Sequence, residues 1–119
     1  MLKTPHHLEH LPALLAEFPG AVLIQTHRDP GVVVPSVNSL FSSIHHTMTD
    51  KFDPARLGEQ NAALLLSMAA DNARARAALG PRARIHDVRY DDLTRDPTGV
   101  IQGIYQRFGL PFTPQLEAQ

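Results

Sequence analysis

Thr26-His27-Arg28-Asp29-Pro30-Gly31-Val32-Val33-Val34-Pro35-Ser36 is the segment from which the rest of the chain is best understood. The apolar run Ala21-Val22-Leu23-Ile24 leads into it, and Asp29-Pro30 is a helix-start signal. The pattern predicts a strand that ends in a turn and passes into a helix. Charged and hydroxyl side chains then stand where the strand stops, which is where open α/β sheets bind their ligands. Arg28 offers a planar fork of donors suited to phosphate or sulfate. Ser36 places a hydroxyl about two turns into the helix, so the segment reads as an anion site.

Working outward, a helix is expected from Thr4-Pro5, with Thr4 as cap and Pro5 in the first turn. Leu8, Leu11, Leu15 and Phe18 recur at helical spacing, Pro12 should kink this helix or displace its start, and Pro19-Gly20 stops it. The strand is expected over 21–26, apolar on both faces as inside a parallel sheet. A second helix should begin at Pro30 or Pro35 and run to about Met48, with Val33, Val37, Leu40, Ile44 and Met48 as its apolar face. A polar loop over 49–54 precedes a third helix over 54–79 carrying Leu57, Leu64, Leu65 and Met68 inward. Its Ala- and Arg-rich second half, 69–79, reads as a solvated face. Gly80-Pro81 ends it. A second strand is expected over 85–90, then a loop over 91–95. Asp96-Pro97 caps a further helix with Val100, Ile101, Ile104, Tyr105 and Phe108 inward and Gly109 closing it. Thr113-Pro114 opens another.

Strands separated by long helical crossovers imply a parallel sheet. The class is therefore α/β, mostly helical by residue count, with parallel strands and flanking helices. Two strands are few for a sheet covered on both faces. The expectation is a single partial domain over 1–119 that belongs to a larger α/β fold or recruits strands from elsewhere.

Composition narrows the function classes. The chain has 119 residues, 43% hydrophobic and 19% charged, with a formal net charge of −1. A chain without a basic excess is poorly suited to general nucleic-acid or anionic-membrane binding. With no cysteine it has no disulfide, thiolate zinc site or cysteine nucleophile. No apolar run approaches the ~20 residues of a membrane span, and a cytoplasmic location is expected. Of the seven histidines, His6, His7 and His10 have spacings that could share a helix face, but no H-E-x-x-H accompanies them. No metal site is assigned.

Three motifs in order carry a family resemblance: Leu2-Lys3-Thr4-Pro5-His6-His7-Leu8, then Arg28-Asp29-Pro30 with Ser36 eight residues after Arg28, then Tyr90-Asp91-Asp92-Leu93. The chain resembles the C-terminal half of the sulfotransferase fold, a P-loop-NTPase-like architecture, and bacterial sulfotransferase-family proteins in particular. The resemblance covers residues 2–111. It implies transfer of a sulfuryl group from 3′-phosphoadenosine 5′-phosphosulfate (PAPS), as co-substrate, to an acceptor hydroxyl or amine. Arg28 and Ser36 would hold the donor's 3′-phosphate, Tyr90 would lie near the adenine, and Lys3 near the transferring group. His7 is the better candidate for the base that deprotonates the acceptor. His6 competes, because other branches of the family use Lys-Thr-His without the proline.

The family's 5′-phosphosulfate loop has no counterpart here. Gly20, Gly31, Gly58, Gly80, Gly99, Gly103 and Gly109 build no G-x-x-x-x-G-K loop. The expectation is therefore a chain carrying the 3′-phosphate-binding half, its partners a small-molecule donor and an unidentified acceptor. A homodimer or a complementing chain is possible, with neither nucleic acid nor membrane. Three rival readings stand beside it. One is a non-catalytic truncated fragment or interaction module. The second is a P-loop-like phosphotransferase, and the third a histidine metal binder.

Overall fold

The computed structural model describes residues 2–49, 51, 53–113 and 116. The chain divides into two compact units: Met1–Gly20 with Asp29–Ala83, and Ala21–Arg28 with Arg84–Gln119.

The first unit is helical. A 3₁₀ segment, Pro5–Glu9, is followed by α1, Leu11–Glu17. Thr4 precedes the 3₁₀ segment, but its side chain makes no capping bond, contrary to expectation. Pro12 divides the expected first helix. It has no N–H, so it cannot bond the carbonyl of Leu8 four residues back. That carbonyl instead accepts from Asn72 Nδ2 at 3.2 Å. α2, Pro30–Met48, starts at the earlier of its two expected prolines and runs on with Pro35 inside it. α3, Pro54–Leu79, starts where Asp53 accepts from the N–H groups of Ala55 and Arg56, and ends at Gly80. The positive φ of Gly80, 64°, is one that side chains rarely adopt. Positions 50 and 52 of the expected loop lie outside the described residues.

α3 is the spine of this unit and packs against α2, α1 and the 3₁₀ segment. Leu11 and Met68 are buried, and so are Asn61 and Asn72. Asn61 Nδ2 donates to Asn38 Oδ1 at 3.0 Å between α3 and α2. The 69–79 stretch has its solvated face, but Asn72 on the same run is inside. The expected apolar faces are covered only in part. On α2, Leu40, Ile44 and Met48 are exposed, and Leu64 is exposed on α3. Val33 and Val37 of the expected face are half-buried, and so are Val34, Asn38, Ser42 and His45. Phe18, expected inward, is also exposed.

The second unit holds the sheet. β1, Leu23–His27, and β2, Ile85–Arg89, pair in parallel, with Leu23 opposite Ile85 and His27 opposite Arg89. The ladder opens where Leu23 N–H donates to Arg84 O at 2.9 Å, so Ala21 and Val22 precede it. Ile24 is exposed, so β1 is not covered on both faces as expected. α4, Tyr90–Arg95, replaces the expected loop. Asp91 and Asp92 lie in its first turn, where carboxylates complement the helix dipole. α5, Pro97–Phe108, is capped by Asp96, which accepts from Gly99 N–H at 2.9 Å, and closes on left-handed Gly109. Val88 is the buried strand residue. In the same unit His86 meets Phe108 edge-on, and Tyr105 meets Phe112 edge-on at 5.4 Å. Ile101 of α5, expected inward, is exposed. Of the helix expected from Thr113-Pro114, positions 114, 115 and 117–119 lie outside the described residues. Among the described residues no helix is long and apolar enough to cross a membrane.

Candidate functional site

The carboxyl ends of β1 and β2 gather the polar side chains of the second unit. Side chains alternate across a strand, so in this register His27, Asp87 and Arg89 share one face, while Thr26 and Val88 share the other. Arg28 and Tyr90 are the first residues after the two strands and continue the second alternation. The Arg28 guanidinium carbon lies 4.4 Å from the centroid of the Tyr90 ring. This is cation–π distance. The guanidinium carries N–H donors in a planar fork of the kind that suits an oxyanion. The nearby carboxylates Asp29 and Asp92 have other partners. Asp29 Oδ1 accepts from Gly31 N–H at 2.8 Å, and Asp92 pairs with Arg95 at 3.3 Å.

On the opposite face, His27 Nε2 lies 2.6 Å from Asp87 Oδ1. An ionised carboxylate only accepts hydrogen bonds, so Nε2 carries the hydrogen and donates. This pair was not legible as such. Alternation placed His27 at the strand end, but no local spacing links it to a residue sixty positions away.

The remaining expected site residues belong to the first unit. Lys3 is exposed and precedes the 3₁₀ segment that carries His6 and His7. His6 is exposed, with Nδ1 3.4 Å from Glu9 Oε2, and His7 is half-buried. Ser36 is exposed in the second turn of α2. The helix start contributes less than its position promised. Pro30 has no N–H, Gly31 N–H is held by the Asp29 carboxylate, and those of Val32 and Val33 are held by the Asp29 carbonyl. The first N–H groups of α2 are thus already paired, and an anion at this turn would have to be met by side chains. Among the described residues no group of three His, Cys, Asp or Glu side chains could hold a metal ion.

A family model described as the sulfotransferase family matches residues 1–114. The chain belongs to the sulfotransferase family. This sulfotransferase-family chain is 33% identical over 113 residues to an omega-hydroxy-beta-dihydromenaquinone-9 sulfotransferase of Mycobacterium bovis. It is 33% identical to the protein of the same name in Mycobacterium tuberculosis. The match takes in 92% of this chain and 28% of each relative, so the chain spans little more than a quarter of their length. No solved structure matches it. Sulfuryl transfer is the chemistry for which the family is named, and the parallel pair with flanking helices agrees with an α/β sulfotransferase fold.

Proposed function

We propose that this chain carries the 3′-phosphate-binding half of a PAPS-dependent sulfotransferase domain, with Arg28 as the anchor of the donor. The observation that carries the reading is the placement of Arg28. It follows directly on the carboxyl end of a parallel strand, with its guanidinium over the Tyr90 ring. A phosphomonoester brings nearly two negative charges and three acceptor oxygens, matched by a charged bidentate fork. The family resemblance would add Ser36 as a second donor, and Tyr90 stands close enough to Arg28 to border the adenosine. In the reaction, the acceptor oxygen or nitrogen attacks sulfur while the bond from sulfur to the phosphate oxygen breaks. The acceptor proton passes to His7, or to His6 in its place. Lys3 offsets charge on the transferring group, much as cations do in phosphoryl transfer. The acceptor is an alcohol or amine.

Titration of the chain with adenosine 3′,5′-bisphosphate by calorimetry tests the donor site. Binding is expected to weaken at least about 10-fold in Arg28→Ala, the loss of one charge-assisted bidentate contact. ATP should compete poorly, which also separates this reading from a P-loop-like phosphotransferase. A folded wild type that fails to bind the bisphosphate sinks the proposal.

A second reading is favoured by a different observation. Leu40, Ile44 and Met48 stand exposed at helical spacing on α2, Met48 at 80%. Such a stripe suits a non-catalytic module stable with a partner or as a dimer. Sedimentation decides here: a compact monomer at high concentration speaks against this reading.

A further inference from the structure

Two side-chain bridges join the carboxyl ends of β1 and β2, one on each face of the sheet. Arg28 over Tyr90 is the first, and His27 to Asp87 is the second. His27 ends β1 and Arg28 follows it, so the residue that anchors the last ladder position directly precedes the one that presents the guanidinium. His27, opposite Arg89, is the last paired residue of β1. Beyond it the chain turns through Asp29 into α2, and no strand pairing fixes the backbone that orients Arg28. Strand ends fray, and a side-chain bond at the last ladder residue restrains that fraying.

We propose that His27 and Asp87 are positioning residues for Arg28. Their hydrogen bond holds the end of β1 against β2, and so fixes the direction in which the Arg28 fork meets a nucleotide's phosphate. The inference rests on the donor-site reading of Arg28. The pair is suited to local order more than to global stability, because each side chain is 48% exposed and exposed pairs contribute little to folding. A fork that must meet two oxygens at once is sensitive to direction, whereas a point charge is not. The role is therefore specific to arginine at position 28.

The test is calorimetric titration of the full chain with adenosine 3′,5′-bisphosphate, alongside thermal unfolding. His27→Ala and Asp87→Ala should each weaken binding about 5-fold, and the double substitution no further, as expected for two residues acting through one bond. His27→Gln, whose amide N–H can replace the Nε2–H donor, should recover most of the loss. In an Arg28→Lys background His27→Ala should cost nothing more. The melting transition should stay unchanged throughout, a pattern that a merely structural role would not give. Binding that depends on Arg28 but ignores His27 and Asp87 overturns the positioning role alone. So does an equal loss from His27→Ala in the Arg28→Lys background. Failure of the wild type to bind overturns the donor-site reading and this inference together.

Discussion

At the scale of single residues, the contact of Arg28 with Tyr90 restrains the side chain proposed to anchor the donor. Free arginine side chains carry about 2 kcal/mol of rotamer entropy, part of which the ring removes before any ligand arrives. A cation–π contact at an exposed site is worth about 0.5–1 kcal/mol. Tyr90→Ala should therefore weaken adenosine 3′,5′-bisphosphate binding roughly 2- to 5-fold, while Tyr90→Phe, which keeps the ring, stays near wild type. Calorimetry on the two variants checks this, and a tighter Tyr90→Ala would mean that the ring competes with the ligand for Arg28. The motif around Tyr90 was legible in the sequence, but its element was not. Tyr90 reads as a strand residue by propensity, yet it opens α4, because the acidic pair Asp91-Asp92 favours a helix start directly after it. Asp87 carried no local signal at all, since its partner His27 is brought to it only by the pairing of the strands.

At the scale of elements, proline placement and buried amides explain where the first unit departs from helical periodicity. Pro12 splits the N-terminal helix and strips the Leu8 carbonyl of its normal donor, and Asn72 supplies the replacement from α3. Composition marked 69–79 as a solvated Ala/Arg face, and a lone Asn in such a run gives no hint that it is 5% exposed. Asn72→Ala should cost about 1–3 kcal/mol, the penalty for removing the partner of a buried carbonyl. Denaturant unfolding measures it. In a Pro12→Ala background the cost should fall, because position 12 then has an N–H of its own for Leu8. An unchanged cost there would place the value of Asn72 elsewhere. Caps were more legible than faces. Asp29, Asp53 and Asp96 each accept a first-turn N–H, since an aspartate ahead of a proline is a strictly local arrangement.

At the scale of the whole molecule, apolar side chains outnumber the places that bury them. Among the described residues Leu11, Met68 and Val88 are the buried apolar ones, while Leu40, Ile44, Met48, Leu64 and Leu66 are exposed. Substituting Leu40 and Met48 together with lysine should leave folding intact and reduce concentration-dependent association, as read by sedimentation velocity. Unfolding of that variant, or association undiminished by it, would count against an apolar contact through α2. The sequence by itself determined the α/β order, the parallel pairing, the capped helix starts and the family. These rest on local patterns: turn chemistry, hydrophobic runs and motif spacing. Only the tertiary structure decided which faces are covered, that Asn72 goes inside, that α2 leaves the later part of its apolar face exposed, and that His27 meets Asp87 just before Arg28. Those outcomes depend on contacts between residues distant in sequence, and periodicity carries no information about which distant surface arrives.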